Sequence, residues 1–342
     1  MPALRIPAPV VPGDTIGVTA PSTGVAPDLR ARFDYCAKQV QARGFKVRLG
    51  ACLFGGGAIS APAPQRADEL MSMLLDDSIH AVMPPWGGEL LIEILPLLDF
   101  EALARARPKW FVGWSDCATF MLPYLLHTGT LSLHGMNFMD AAFEPAPGAA
   151  WWREVMSLQA GQSFRQTALT HHQNGWTRYQ EQPDVSIYRA DTPTQWRVLG
   201  TQRDVRVSGR LIGGCADVLS RLVGTPYGDI ERFAHAQRDK GVIVYLENCE
   251  MAAFDAARCW QQFKLAGWFK HARAVLIGRT VGEARGDYTQ HAALADALGD
   301  LPIPVMYDVD IGHQPPQHLV VNGALADVSY VDGRGEWRQV MT

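Results

Sequence analysis

The stretch Lys109-Trp110-Phe111-Val112-Gly113-Trp114-Ser115-Asp116 is followed by an apolar run from Cys117 to Leu126. β-Favouring residues lead into a glycine, an aromatic, a serine and an acid, and helical spacing then begins, so Ser115 falls on a strand-to-helix turn. A hydroxyl there projects from the carboxyl end of a strand. The amides that open the helix can stabilise negative charge developing beside it, which is the chemistry of a nucleophile in acyl transfer. Ser115 and Asp116 also suit a helix N-cap, and Cys117 stands where a full G-x-S-x-G elbow has its second glycine. The local pattern therefore leaves nucleophile and cap both open.

A serine nucleophile needs a base within hydrogen-bond reach, usually held by a carboxylate. Among the ten histidines, His171 and His172 lie in a polar connection and His235 and His271 in hydrophilic surroundings. His80, His127, His134 and His291 sit within or beside regular elements, where a structural role suffices. His313 differs, because Asp310-Ile311-Gly312-His313-Gln314-Pro315-Pro316 has a glycine that frees the backbone and two prolines that stiffen the exit. Such a loop can hold one imidazole at a fixed orientation. For the acid, Glu247 ends the apolar run Val242-Ile243-Val244-Tyr245-Leu246 and is a lone charge at the carboxyl end of a strand. Glu250 and Asp255 are close enough in sequence to compete with it. The order Ser, Glu, His agrees with one of several known triad orders.

The elements that must position these residues alternate. Thr15 to Ala20 reads as a strand closed by Pro21-Ser22-Thr23-Gly24, residues 27 to 42 as a helix ended by Gly44, and Phe45 to Leu49 as a strand. Gln65 to Leu75 reads as a helix, Ile79 to Met83 as a strand running into Pro84-Pro85-Trp86-Gly87-Gly88, and residues 89 to 98 as a helix before the strand that carries Ser115. This alternation predicts an α/β fold with a parallel sheet covered on both faces, holding its site at the carboxyl ends of the strands. Ser22, Gly87, Gly88 and Ser115 all fall at that edge.

Between about residues 148 and 207 the chain is polar, weakly periodic and rich in Gln, Thr and Trp. Connections of that length in compact proteins are commonly functional covers or linkers. Trp151, Trp152, Trp176 and Trp196 favour a cover, with Trp176 and Trp196 as either ligand-facing rings or packing anchors. Regular structure resumes at Gly209 with GRLIGGCADVLSRLVGTPY. Strands are predicted over 242–246 and 272–277, helices over 253–265 and 290–297, and short β segments around Val305, 319–321 and 327–331. The division reads as residues 1–160 for an amino-terminal domain carrying the nucleophile, 161–208 for the tryptophan-bearing connection, and 209–342 for a mixed α/β domain carrying acid and base.

The 342 residues suffice for two domains, and nearly half are hydrophobic. A net charge of -4 with no basic block argues against nucleic acid. The first twenty residues lack the apolar core of a signal peptide, and no apolar run spans a bilayer, so a cytoplasmic protein without membrane contact is expected. Six scattered cysteines without a C-x-x-C pair indicate neither a zinc knuckle nor a disulfide framework. Neither G-x-G-x-x-G nor G-x-x-x-x-G-K-[ST] occurs, which disfavours dinucleotide and P-loop chemistry.

Taken together, Gly-Trp-Ser-Asp, the Gly-Gly before a segment ending Leu-Pro-Leu-Leu-Asp-Phe, Gly-Arg-Leu-Ile-Gly-Gly-Cys, Tyr-Leu-Glu-Asn and Asp-Ile-Gly-His-Gln-Pro-Pro resemble the LD-carboxypeptidase family of serine peptidases over nearly the whole chain. The resemblance implies a flavodoxin-like amino-terminal domain, a mixed α/β carboxy-terminal domain and an active site between them. It maps the triad onto Ser115, Glu247 and His313, and the oxyanion hole onto the amides of Asp116 and Gly88, with no metal or organic cofactor. The chain is closer to the microcin-immunity branch, which carries a tryptophan-bearing loop ahead of Gly209. That implies a peptidyl or aminoacyl nucleotide as substrate, with Trp176 and Trp196 stacking on the base. The other branch would imply removal of a terminal D-amino acid from a muropeptide. A homodimer is also implied. Trp114 replaces the family's usual tyrosine before the nucleophile, and Glu89-Leu90-Leu91 replaces the Asn-Ser that often follows the glycine pair. A reading from another class keeps Ser115 as a cap in a non-catalytic α/β anion-binding protein.

Overall fold

The computed structural model describes residues 1–55, 57–201 and 204–342. Its first sheet runs in the order Val320–Asn322, Ser132–His134, Trp110–Gly113, Ala81–Val82, Thr15–Val18, Lys46–Leu49. The five strands drawn from the first half of the chain are mutually parallel. Their spatial order, 2-1-3-4-5 in chain order, is the flavodoxin-like arrangement, whose sites lie beyond the carboxyl ends of the strands. Buried strands explain the sequence: Ile16, Val18, Val82, Phe111 and Val112 are fully inaccessible, so these segments read as apolar runs without alternation.

The second sheet has eight strands, in the order Ser163–Thr167, Arg334–Val340, Leu325–Val331, Val205–Cys215, Val242–Glu247, Ala272–Gly278, Val305–Val309, Arg197–Val198. The fourth to seventh of these are parallel and the strands on either side of them antiparallel. Glu247 and Cys215 end adjacent parallel strands and face each other in register. Helices Ala253–Leu265 and Gln290–Leu298 cover this sheet, burying Trp260, Phe263, Leu294 and Ala297.

Three local expectations change. Residues 89–98 form a 3-10 helix over Leu91–Leu97 with Pro96 inside it, since a proline cannot supply the backbone donor that an α-helix needs there. Val320–Asn322 belongs to the first sheet, pairing antiparallel with Ser132–His134, so the carboxy-terminal part of the chain closes an edge of the amino-terminal domain. The last strand, Arg334–Val340, was not anticipated. It joins Leu325–Val331 to Ser163–Thr167, which stitches the start of the connection into the second sheet. Among the described residues no helix is long and apolar enough to cross a membrane.

Candidate active site

Ser115 follows the strand Trp110–Gly113 and opens a 3-10 turn, Ser115–Cys117, that continues into the helix Ala118–Thr128. Its φ of 60° lies in the left-handed region, which costs a side-chain-bearing residue about 1–2 kcal/mol. A helix cap adopts extended φ, as Trp114 does here, so Ser115 is not the cap of this turn, and its strained conformation is of the kind that clusters at functional sites. The missing second glycine is accounted for by Gly113: a Cβ there would sit 2.6 Å from the Cys117 Cβ. One glycine suffices because Cys117 packs into the space it leaves.

Two loops crowd the serine. A Cβ at Gly87 would lie 2.6 Å from Ser115 Cβ and 2.8 Å from the Asp116 amide nitrogen. Gly88, at φ 130°, lies against Ser22 and Thr23. The Asp116 carboxylate accepts from Ser22 Oγ at 2.6 Å, Leu91 N at 2.9 Å and Thr119 Oγ1 at 2.9 Å. Its side chain thus ties the loop after the first strand to the glycine-pair loop, while its amide, in the first helical turn, has no intrahelical acceptor.

Glu247 is fully buried, and its Oε2 lies 2.8 Å from His313 Nδ1. Gly278 and Gly312 make the space: a Cβ at either would sit 2.8 Å from the Glu247 Cβ. Burial works against the charged form of His313, but the charge and hydrogen bond of Glu247, joined by Asp217 and Glu250, more than offset it and raise the pKa. The His313 loop is pinned by Arg279, buried and paired with Asp310, which donates to the Gln314 carbonyl at 2.8 Å and the Pro316 carbonyl at 2.6 Å. Losing one partner of a buried ion pair costs about 3–5 kcal/mol, so the loop is firmly held.

The imidazole meets the Ser115 turn through aromatic packing: the His313 and Trp114 ring centroids are 4.3 Å apart. Trp176, 57 % exposed, sits edge-on to His313 at 5.7 Å and 6.3 Å from Trp114. Trp196 is elsewhere. It is fully buried, donates to Asp310 Oδ2 at 2.7 Å and packs edge-on to Trp337 and His318. The expectation that Trp196 stacks on substrate gives way to its alternative as an anchor, since no face of the ring is open.

Sequence reasoning passed over Cys215, Asp140 and the Asp310–Arg279 pair. Cys215, Glu247 and His313 bring a sulfur, an oxygen and a nitrogen within 4.8 Å of one another, a geometry that could hold a metal. A metal on His313 Nδ1 would take the nitrogen that bonds Glu247. His134, predicted to be structural, is fully buried, and burial, opposed by Glu247 and reinforced by His313, pulls its pKa down to about 4. A cavity of about 330 Å³ is lined by Glu89, Asp116, Thr119, Asp217, Arg221 and Glu250 among others. Partial burial, followed by the charges of Glu250, Asp116 and Asp217, raises the pKa of Glu89.

A strained serine at the edge of a flavodoxin-like sheet, and a buried carboxylate–imidazole pair packed on the ring of the residue before it, fit the class of α/β serine hydrolases. The LD-carboxypeptidase N-terminal domain model matches residues 16–135 and the LD-carboxypeptidase C-terminal domain model residues 208–328. The chain belongs to the LD-carboxypeptidase family and is a serine peptidase. It is similar to the Microcin C7 self-immunity protein MccF of Escherichia coli, 24 % identical with 90 % of this chain and 88 % of that protein covered. It is also similar to the "Probable murein peptide carboxypeptidase" of Bacillus subtilis, 25 % identical with 92 % and 88 % covered. Among solved structures, wild-type apo MccF superposes with a TM-score of 0.82 at 20 % identity, covering 97 % of this chain and 98 % of that one. Muramoyltetrapeptide carboxypeptidase from Oxalobacter formigenes gives 0.69 at 20 %, covering 95 % and 98 %.

Proposed function

We propose that the enzyme hydrolyses peptidyl or aminoacyl nucleotides, with Ser115 as nucleophile, His313 as base and Glu247 as the acid that orients it. Ser115 Oγ attacks the acyl carbon while His313 takes its proton, and the amides of Asp116 and Gly88 receive the oxyanion. His313 returns the proton to the leaving nitrogen, and a water deprotonated by the same imidazole then releases the acyl group and regenerates the serine. Glu247 fixes the tautomer and stabilises the imidazolium. This sequence calls for no metal or organic cofactor. The observation that carries the substrate class is Trp176, an exposed ring held edge-on to the base, where a nucleobase can stack. Structures of MccF with aspartyl sulfamoyl adenosine and of an MccF tryptophan-to-phenylalanine mutant with adenosine monophosphate support the reading. A cytoplasmic homodimer is part of the proposal, and sedimentation equilibrium reads the dimer directly.

The competing substrate is a muropeptide losing a terminal D-amino acid, supported by the murein-directed relatives. Assaying both substrates with wild type and Trp176→Ala separates them. Stacking worth about 1–3 kcal/mol predicts a loss of about 10-fold or more in kcat/KM on the nucleotide alone. Equal loss on both, or cleavage of the muropeptide only, overturns the nucleotide reading. For the oxyanion hole, Gly88→Ala places a Cβ 2.4 Å from Ser22 Oγ and must displace the loop. The expected result is a fall of about 10²-fold in the single-turnover acylation rate, with the far-ultraviolet circular dichroism unchanged.

A further inference from the structure

Asp140 ends the short 3-10 helix Phe138–Asp140 and is buried. A residue that only capped this turn would need one bond, from the Asn137 amide, present at 2.9 Å. The carboxylate does more. Its Oδ2 also accepts from Trp114 Nε1 at 3.1 Å, and its Oδ1 accepts from Tyr179 Oη at 3.2 Å. Trp114 is the residue before the nucleophile and its ring carries His313, while Tyr179 belongs to the connection that bears Trp176. Asn137 Oδ1 takes the Trp114 backbone amide at 3.1 Å, so the same turn grips Trp114 by backbone and by ring.

The cover's side of the link is equally built. The Tyr179 ring stacks on Trp86, just before the glycine pair, at 5.9 Å. The Arg32 guanidinium lies 4.4 Å over the same ring and donates from Nη1 to the Pro183 carbonyl at 3.2 Å. Buried Arg32 thereby fastens the connection to the first domain.

We propose that Asp140 is a positioning residue whose two oxygens tie the aromatic cover to the turn that holds Ser115 and to the ring beneath His313. The inference rests on the triad reading above. One carboxylate thereby holds the platform of the base through Oδ2 and the cover through Oδ1.

The test uses Trp114→Phe, Asp140→Asn and Tyr179→Phe in the full chain, with kcat and KM measured separately on the preferred substrate. Trp114→Phe keeps a ring against His313 while removing the N–H donor and part of the indole's volume, and the double variant with Asp140→Asn separates the lost bond from the lost packing. A misplaced base predicts a fall in kcat of about 10-fold for Trp114→Phe and for Asp140→Asn. Tyr179→Phe, which cuts the cover's side alone, should raise KM several-fold with kcat within about twofold. Because Trp114 and Asp140 act through one bond, the double variant should be no slower than Asp140→Asn alone. If Asp140→Asn does not fold, Trp114→Phe decides the matter. Trp114→Phe at wild-type kcat, or multiplicative losses in the double variant, overturns the inference. Ser115→Ala run alongside keeps the two ideas apart: turnover surviving there sinks the triad, whereas an inert Ser115→Ala with an unaffected Trp114→Phe sinks only the Asp140 link.

Discussion

Ser115→Ala is expected to lower turnover by about 10⁴- to 10⁶-fold, the range found when a triad serine is removed and only binding and oxyanion stabilisation remain. Ser115→Gly should be equally inactive, and comparing the two variants tests the elbow itself. Alanine keeps the cost of a Cβ at φ 60°, whereas glycine does not. The extra conformational entropy of an unfolded glycine offsets part of that relief, so Ser115→Gly should be more stable than Ser115→Ala by about 0.5–1 kcal/mol. Denaturant midpoints read this difference. An unstrained cap would give the opposite order, because a glycine at an unstrained position is the less stable choice. Turnover near wild type in either variant would remove Ser115 from the mechanism.

The same strain shows what the sequence discloses and what it hides. That Ser115 sits on a turn is legible because the β-favouring run stops at Gly113 and helical spacing starts beyond Asp116. That the turn is left-handed is not, because it depends on the Gly87 loop closing to within a Cβ of the serine. Glu247 and His313 were legible for a related reason: a lone acid ending an apolar strand and an imidazole between glycine and proline are departures from their local surroundings. Asp140 and Arg279 are not departures. They are ordinary polar residues until separate segments meet on them, and their partners lie up to 39 residues away in sequence. Trp176 and Trp196 were indistinguishable in composition. What divides them is Gly335, where a Cβ would lie 2.3 Å from the Trp196 ring, so the buried site exists because a distant strand lacks a side chain.

Glu247→Gln is expected to cut kcat by about 10³- to 10⁴-fold, since an amide can hold the ring but cannot stabilise the imidazolium. It should also move the acid limb of the pH profile. In the wild type the base must be neutral, and the pKa of His313 stands above its ordinary value, so kcat/KM should rise through a limb above about 6.5. Removing the Glu247 charge leaves burial, the largest influence, opposed only by Asp217 and Glu250, and the limb should shift to lower pH. Stability moves with the opposite sign. A histidine whose folded pKa is raised contributes stability fully below its unfolded value of about 6.5 and loses it as pH rises through the folded pKa. In Glu247→Gln the folded pKa is lower than in the wild type, so the histidine contributes less stability at low pH. The difference in unfolding free energy between wild type and variant should therefore shrink as pH rises across that window. Denaturant midpoints and kcat/KM taken over one pH series read both effects. An acid limb that stays in place when Glu247 loses its charge would mean that a group other than His313 is the base. If the limb moves as expected, the imidazolium that the pair stabilises at low pH is the form that cannot begin the reaction, and the enzyme gains its base over the range in which it gives up that stabilisation.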